Sequence, residues 1–466
     1  MHFKAKLFFP VLFLVLLAAR LCHVGILWAE EGLPLAAAGQ LLHGKTLYRD
    51  IWFDKPPLVA ASYLLWGAEP GWPLRLAGAV YALLACWLAY RLAREMWSPK
   101  EGFWAAALLG FFLIFDLPSS VTPLASDLLV VGPHLAAIWL AWRKEALWSG
   151  AMSGLAFLIG PKALIVAVAC AVWNPSGMLA MAAGFLAVNG MAAAWLAAAG
   201  ALQAYWEQVW QWGRLYASAP LSDEPLRNGL LRTAGWAGFH GALVIGAIWF
   251  FVKSKERWRW AVWLGLCLVG VAAGWRFFPR YYFLLLAPLT VAAARGCALL
   301  GRRSVIVLVL LLVPLARFGP RYILLAAGTS DWTDTAMDRD SRQAAAITRQ
   351  LARPGDTLFV WGFRPEMYVY AELPAATRFL DSQPLTGVPA DRHLTQSEPI
   401  ETEAPPARRA ELARSHPTFV IDGLGLYNPR LAITSYGDLR NWLGGYREVA
   451  RSGQSIIYRS TVPSRE

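Results

Sequence analysis

WAEEGLPLAAAGQLLHGKTLYRDIWFDKPPL, residues 28–58, is the stretch on which the interpretation of the whole chain depends. It follows an apolar run, opens with the adjacent acids Glu30 and Glu31, and closes on Asp54-Lys55-Pro56-Pro57. An ionisable group beside lipid is costly unless it meets water, a partner or a substrate. The stretch therefore predicts an active site at a membrane surface, in an external loop over residues 29–70.

The composition is that of a polytopic membrane protein. Of 466 residues, 57% are hydrophobic and 16% are charged, which is too apolar for a set of soluble domains. The net charge of +12 is also typical of nucleic-acid-binding proteins, so its location matters. Residues 331–466 carry 16 Arg and no Lys against 17 acidic residues, which leaves the basic surplus among the apolar runs of residues 1–330. Positive cytoplasmic loops explain this surplus without nucleic acid.

Eleven apolar runs are predicted to cross the membrane. Because about 20 helical residues span a bilayer, the two runs beside Gly160-Pro161-Lys162 are too short, which predicts broken or re-entrant helices there. Residues 201–233 mix Trp and Tyr with polar side chains, as interfacial segments do. The predicted spans are 3–28, 72–90, 102–117, 122–142, 146–160, 163–173, 178–200, 235–252, 260–275, 281–299 and 304–325.

Basic residues predict the orientation of these spans. With the N-terminus in the cytoplasm, every cytoplasmic end carries Lys or Arg except the uncharged link at 174–177. The same parity places residues 29–70, Asp127, residues 201–233 and residues 276–280 outside. The region after the last span is then extracytoplasmic as well.

Residues 329–466 differ in character from the transmembrane domain predicted over residues 1–328. Apolar runs shrink to strand length at 357–361 and 418–421, between helical patterns rich in Arg and Glu. We expect a small soluble α/β domain, with residues 399–406 as an irregular loop.

Cysteine and histidine show no metal-ligand spacing. The five cysteines lie in or beside apolar runs and form no CxxC pair, so we interpret them as packing residues without disulfides. His43, His134 and His240 are scattered. We assign no metal ligand and leave a divalent cation open as a cofactor.

Three acids are candidates for catalysis. Glu30 and Glu31 follow the first span, and parity places Asp127 at the same face of the membrane. One carboxylate can act as general base on an acceptor hydroxyl while a second orients the base or the nucleophile. The plainer alternatives are solvated interface charges for the glutamates and a helix-cap position for Asp127.

Three cations are candidates for binding an anionic headgroup. Lys55 precedes two prolines that hold the backbone extended, Lys162 lies at a predicted helix break, and Arg280 follows a proline next to Tyr281 and Tyr282. A guanidinium suits bidentate phosphate binding. Snorkelling or contact with lipid headgroups is the alternative for each of them.

The order of these motifs resembles that of the family 39-type glycosyltransferases of the GT-C fold, relatives of the protein O-mannosyltransferases and the bacterial lipid A aminoarabinose transferases. The resemblance covers residues 1–325, and the region around Trp361-Gly362-Phe363-Arg364-Pro365 is similar to the external tail of bacterial members. The motifs are the acidic pair, Gly44 with Tyr48-Arg49-Asp50, Asp54-Lys55-Pro56-Pro57-Leu58, Ser126-Asp127-Leu128-Leu129, Gly154-Leu155-Ala156-Phe157-Leu158 and Pro279-Arg280-Tyr281-Tyr282-Phe283.

The resemblance implies a membrane all-α GT-C fold of about eleven spanning helices with an external C-terminal α/β domain, in a bacterial plasma (inner) membrane. It implies transfer of a hexosyl or pentosyl group, with inversion, from a polyprenyl-phosphate-linked sugar as co-substrate. The acceptor would be an external glycolipid, polysaccharide or protein.

The resemblance also assigns roles by position. Glu30 matches the catalytic acid, usually Asp in the family, and Asp127 matches the acid of the second external loop, while Glu31 stays open as an alternative base. Lys55 matches the lysine near the carrier phosphate. Lys162 and Arg280 are further candidates for the phosphate, although the family has the order Lys-Gly at the first position and a histidine near the second. The remaining candidates, for a substrate loop, are Tyr48, Arg49, Asp50, Asp54, Tyr281 and Tyr282.

Two other classes of protein remain open. A secondary transporter or lipid flippase would place polar groups at mid-bilayer depth in interrupted helices, and the short runs at 146–173 are compatible with that. An inactive homologue that only scaffolds an envelope assembly is the third class.

Overall fold

The structure, a computed structural model, describes residues 2–255, 257–329 and 332–461. Helices dominate as far as residue 326, and a small sheet lies near the C-terminus. The helices of the first part are α1 (His2–Leu21), α2 (Ala29–Leu42), α3 (Pro57–Tyr63), α4 (Trp72–Met96), α5 (Pro99–Phe112), α6 (Pro118–Val121), α7 (Ser126–Leu129), α8 (Val131–Trp142), α9 (Ala146–Phe157), α10 (Leu164–Trp173), α11 (Met178–Ala198), α12 (Leu202–Tyr205), α13 (Trp212–Ser218), α14 (Pro225–Phe239), α15 (Gly241–Lys253), α16 (Trp258–Ala272), α17 (Phe283–Leu300), α18 (Val305–Leu310) and α19 (Leu312–Ala326).

Three helical runs among the described residues are long and apolar enough to cross a membrane, and the bent pair α14 and α15 would make a fourth. They are Trp72–Met96, Pro175–Ala198 and Pro279–Ala326. Shorter apolar helices lie at Pro57–Trp66, Ser126–Trp142, Ala146–Phe157, Pro161–Trp173 and Trp258–Ala272. The helices on either side of Lys162 are therefore short, as expected, and the total of eleven spans stays a prediction.

The predicted span over residues 235–252 is wrong as a single helix. α14 and α15 meet at His240 with a bend of 90°. The histidine is buried at this corner, where its Nε2 lies 3.1 Å from Asp116 Oδ2 and its ring stacks on Trp236 at 4.1 Å. Because these contacts hold the histidine at the corner, α14 turns aside and packs against the segment at residues 277–282, through Thr233 and Tyr282 among others.

Small residues let the helices of the core approach one another closely. α15 and α17 cross at Gly246 and Gly296, and α9 and α11 cross at Gly150 and Gly184. A Cβ atom on Gly296 or Gly150 would collide with the backbone of the facing helix. Such close packing is a main source of association between helices in lipid, where burial of apolar surface gives little.

The C-terminal region builds one mixed sheet with helices around it. Strands β1 (Leu358–Trp361) and β2 (Phe419–Asp422) are parallel, and β3 (Tyr446–Ser452) and β4 (Ser455–Ser460) add an antiparallel hairpin in the order β1-β2-β4-β3. The two strands expected from the sequence thus form within one residue of their predicted positions. The helices are α20 (Thr333–Leu351), α21 (Glu366–Ala371), α22 (Gln383–Thr386), α23 (Ala404–Ala413) and α24 (Arg440–Leu443).

The irregular loop predicted over residues 399–406 is too long. α23 begins at Ala404 and includes Pro405 and Pro406 in its first turn. Proline is tolerated there because the first backbone N–H groups of a helix have no partner within it. Two prolines in succession therefore mark a helix start at this point.

Helix α20 holds the chain just before α2. The backbone N–H of Leu27 donates to Asp338 Oδ1 at 2.9 Å, and the indole N–H of Trp28 donates to Asp334 Oδ2 at 3.0 Å. The first turn of α2 is therefore fixed from the side of the C-terminal region.

Candidate active site

A cavity of about 340 Å³ lies between the ends of several helices and the C-terminal region. Its wall draws on the first turn of α2, the segment before α3, α7, the turn between α9 and α10, α13 and the turn before α17. The charged side chains that line it are Glu30, Asp54, Lys55, Asp127, Lys162, Arg280 and Asp391.

Glu30 and Arg280 form an ion pair on this wall. Glu30 lies in the first turn of α2, and Arg280 lies in a short 3-10 turn, Pro279–Tyr282, that leads into α17. Arg280 Nη2 is 2.6 Å from Glu30 Oε1, and about a quarter of each side chain is exposed (28% and 26%). Burial favours the protonated carboxyl, but the charge and hydrogen bond of Arg280 outweigh it, so the pKa of Glu30 is lowered. Glu30 is therefore anionic at neutral pH.

Glu31 points away from the cavity, which corrects its candidacy as the base. Its carboxylate is fully buried and accepts from Arg75 Nη2 at 2.6 Å and from Nη1 at 2.9 Å. Arg75 lies in α4 and also donates to the backbone carbonyls of His23 and Ile26. Glu31 thus anchors the turn before α2 and has no exposed surface with which to meet a substrate.

Lys55 lines the cavity together with its neighbour Asp54. The ammonium donates to Asp54 Oδ1 at 2.7 Å, and the Tyr48 hydroxyl donates to the Lys55 carbonyl at 2.7 Å. Burial alone would lower the pKa of Lys55, but Asp54 raises it above its ordinary value, so the lysine is protonated. Pro56 and Pro57 then start α3 and fix the backbone beside this pair.

Lys162 and Asp127 line the cavity without polar partners. Among its described charged residues, these two take part in neither an ion pair nor a hydrogen bond. The Lys162 Nζ is buried and lies 3.3 Å from the centroid of the Tyr281 ring. Asp127 lies in α7, directly before the apolar helix α8. The cavity therefore offers one buried ammonium and one carboxylate that make no ion pair or hydrogen bond among the described residues, although the charge of each acts on the other.

Of the six residues predicted for a substrate loop, Asp54 and Tyr281 line the cavity and the other four lie outside it. The Tyr48 side chain is buried, and Arg49 and Asp50 pair with each other at 2.9 Å near the protein surface. Tyr282 turns away as well, with its hydroxyl 2.8 Å from Thr233 and its ring stacked on Trp236. These four side chains support the fold around the site.

The C-terminal region contributes further lining residues, of which only one lies in a motif of the sequence. Phe363, Gln383 and Asp391 line the cavity, and buried Arg276 holds Asp391 at 2.5 Å. The only sequence signal near them is the motif around Phe363, since no catalytic motif includes the other two.

Asp381 lies behind this part of the wall. It accepts hydrogen bonds from the backbone and side-chain amides of Gln383 at 2.8 and 3.4 Å. Burial, with Asp54 nearby, raises the pKa of Asp381 to about 7. The Gln383 side chain in turn accepts from the Ala390 N–H at 2.9 Å, so Asp381 helps to hold the loop that carries Asp391.

No group of three or more His, Cys, Asp or Glu side chains within the described residues could hold a metal ion. The carboxylates of the cavity lie beside cationic side chains, Glu30 beside Arg280 and Asp54 beside Lys55. Such a wall can bind an anion through its cations and accept a proton through its carboxylates.

No family model matches the sequence, and no curated protein matches it either. Similar solved structures do exist. The chain resembles ArnT from Cupriavidus metallidurans bound to undecaprenyl phosphate, with 16% identity, 98% of both chains covered and a TM-score of 0.58. It resembles the apo form of that protein with 14% identity, the same coverage and a TM-score of 0.59. For an archaeal oligosaccharyltransferase, AglB from Archaeoglobus fulgidus, the TM-score of 0.48 is too low to support an inference, at 12% identity over 91% of this chain and 70% of that one.

At this level of identity, the likeness establishes the fold alone. The chain has a GT-C fold, as the resemblance of its motifs implied, and it is a multi-pass membrane protein.

Proposed function

We propose that this chain is an inverting glycosyltransferase that moves a sugar from a polyprenyl-phosphate donor to an external acceptor. The observation that carries the proposal is the buried, unpaired ammonium of Lys162 in a cavity that Asp127, Glu30 and Arg280 also line. A buried charge without a partner is costly, and an anionic substrate group would satisfy it. The fold supports the donor class, since the similar ArnT structure is described as bound to undecaprenyl phosphate.

In this proposal the three cations of the cavity bind the donor phosphate. Lys162 presents a free ammonium, Arg280 a guanidinium suited to two phosphate oxygens, and Lys55 two N–H donors beyond the one given to Asp54. The polyprenyl tail stays in the bilayer beside the apolar helices, which explains why such an enzyme is embedded.

The transfer itself needs a base and a leaving group on opposite sides of the anomeric carbon. The acceptor hydroxyl attacks that carbon while its proton passes to Glu30. The bond between the carbon and the phosphate oxygen breaks, and its electron pair leaves on polyprenyl phosphate, whose charge the cations neutralise. Asp127 orients the acceptor, and attack from the face opposite the phosphate inverts the configuration.

The walls that the C-terminal region adds to the cavity make that region the proposed site of acceptor selection. Gln383 and Asp391 offer polar atoms for hydrogen bonds to sugar hydroxyls, and Phe363 offers an apolar ring. We further propose that the cavity opens outside a bacterial inner membrane, with the N-terminus in the cytoplasm. The sugar and the acceptor are open within these classes.

Mass spectrometry of envelope glycans and glycolipids, from cells with and without the protein, tests the proposal. We expect at least one species that carries one sugar fewer when the protein is absent, and its return when the wild-type chain but not Glu30→Gln is supplied. An unchanged profile at matched expression would favour a transporter, which the short helices α9 and α10 also suit, or a scaffold.

A further inference from the structure

The ion pair between Glu30 and Arg280 joins two groups with different roles in the proposed reaction, the general base and a ligand of the donor phosphate. A carboxylate held by a guanidinium takes up a proton less readily, because the charged form is stabilised. The negative charge of Glu30 also weakens the attraction of the Arg280 guanidinium for a phosphate. In the unliganded protein, therefore, the proposed base and one of the proposed phosphate ligands occupy each other.

We propose that the donor phosphate displaces Glu30 from Arg280, so that the base becomes free only when a donor fills the cavity. This inference rests on the proposed function and adds the regulation of its site. The phosphate takes over the Arg280 N–H groups that Glu30 engages at 2.6 Å, while Lys162 and Lys55 hold its other oxygens. Arg280 turns towards the phosphate, so that the released Glu30 carboxylate stays on the opposite side of the anomeric carbon, where the acceptor hydroxyl attacks.

The surroundings of the pair suit such an exchange. Both side chains are about a quarter exposed on the cavity wall, so a ligand in the cavity can reach the pair and compete for it. The pair of Glu31 with Arg75, one residue further along the same helix, is 0% and 2% exposed and has no access to a ligand. Adjacent residues of α2 thus make one ion pair that a ligand can reach and one that it cannot.

The backbone on both sides of the pair is held firmly. The first turn of α2 is fixed by Arg75 and α20, and the turn that carries Arg280 is fixed by its neighbour Tyr282, which contacts Thr233 and Trp236. A ring at Phe277 also packs so closely on Gly229 of α14 that a Cβ atom there would clash. The Arg280 side chain is therefore the part that can change partner without movement of the backbone.

The exchange predicts that Glu30→Gln has opposite effects on binding and on chemistry. Gln keeps the size of the side chain but competes weakly for Arg280, so polyprenyl phosphate should bind at least roughly two- to fivefold more tightly, the range for exposed ion pairs. Sugar transfer should fall at the same time, because the base is gone. A side chain that only helped to shape the cavity would lower both.

Titration of the purified proteins in lipid nanodiscs tests the exchange, with undecaprenyl phosphate as the probe and undecaprenol as the control for the tail. The variants are Glu30→Gln, Arg280→Gln and the double variant, and Glu69→Gln serves as a matched control because Glu69 is exposed and outside the cavity. We expect tighter binding for Glu30→Gln, weaker binding for Arg280→Gln, and no further gain from Glu30→Gln once Arg280 is replaced. Inorganic phosphate, tested in parallel, separates recognition of the headgroup from recognition of the lipid.

Each outcome decides a different point. Equal or weaker binding of undecaprenyl phosphate by Glu30→Gln, with normal binding by the wild type, overturns the exchange and leaves the proposed function intact. The same gain in the Arg280→Gln background also overturns it, because the effect would then be a general one of charge. A wild-type protein that binds the phosphate lipid no better than undecaprenol overturns the donor class itself.

Discussion

Replacement of Lys162 by Met should show separately how the Lys162 charge affects the stability of the unliganded protein and its affinity for polyprenyl phosphate. The Lys162 ammonium is buried in the cavity wall with no hydrogen-bond partner, its Nζ lies 3.3 Å from the centroid of the Tyr281 ring, and the charge of Asp127 acts on it. Met has a similar length and fills the same space without a charge. The variant therefore removes the charge and leaves most of the packing.

The expected magnitudes follow from these contacts. A charge-assisted hydrogen bond contributes about 1.5–3 kcal/mol, so the variant should bind polyprenyl phosphate roughly 10- to 150-fold more weakly. An unsatisfied buried polar group lowers the free energy of unfolding by about 1–3 kcal/mol, and a cation–π contact raises it by about 0.5–2 kcal/mol. The unliganded variant should therefore be as stable as the wild type or slightly more stable.

Thermal unfolding in nanodiscs, with and without undecaprenyl phosphate, measures both effects in one assay. The wild type should gain Tm from the lipid, and Lys162→Met should start at the same or a higher Tm and gain much less. Lys100→Met, which replaces an exposed lysine outside the cavity, is the matched control. If Lys162→Met binds the lipid normally and unfolds at a lower Tm, then the lysine is a structural partner of Tyr281 and the argument from its unpaired charge is refuted.

Four other predictions concern the acids and the topology. Glu30→Gln should lower single-turnover transfer by about 10²–10⁴-fold, the usual contribution of a general base, while Glu30→Asp should retain measurable activity; equal rates for all three proteins would remove Glu30 from the chemistry. Glu31→Gln should act on stability instead, since it leaves a buried guanidinium without its countercharge at a cost of about 3–5 kcal/mol; a normal Tm with lost transfer would contradict this. The pKa of Asp381 is raised to about 7 in the folded state from about 4 in the unfolded chain, so its contribution to stability falls as pH rises from 4 to 7. Asp381→Asn should therefore flatten the decline of Tm between those two pH values. An unaltered slope would assign the decline to other groups. A reporter fused after residue 330 should be active only outside the cytoplasm and one fused within residues 253–259 only inside, and the reverse result would overturn the orientation.

The sequence predicts the helices of this chain better than their paths. Apolar runs mark most of them, because burial in lipid demands apolar side chains along a helix. The corner at His240 escaped prediction, since it depends on Asp116, which lies far away in the chain, and on stacking against Trp236. A hydropathy pattern contains neither contact.

The sequence does not predict which of Glu30 and Glu31 faces the cavity. Adjacent residues on an α-helix point about 100° apart, so the two side chains meet different surroundings. Only the position of Arg75 and Arg280 around α2 decides which is which. Both arginines are remote in sequence and neither forms a motif with the acidic pair.

The charged lining from the first part of the chain was nevertheless foreseeable as a group. The sequence marks Glu30, Lys55, Asp127, Lys162 and Arg280 as candidates, and the structure places all five around one cavity. Most of them lie at predicted external helix ends, where an ionisable group is costly unless it meets water, a partner or a substrate. The wall from the C-terminal region was not foreseeable residue by residue, because it consists of ordinary polar side chains brought in by the tertiary fold.

The most direct test of the account is transfer by the purified protein from a polyprenyl-phosphate-linked sugar. A set of such donors, each with a labelled sugar, is incubated with the wild type and with Glu30→Gln in matched nanodiscs together with an envelope extract as the source of acceptors, and the nucleotide-linked forms of the same sugars run in parallel. The account predicts that label moves from at least one lipid-linked donor to an acceptor, with release of polyprenyl phosphate, only with the wild type. Transfer from the nucleotide sugars, or equal transfer by Glu30→Gln, would contradict it.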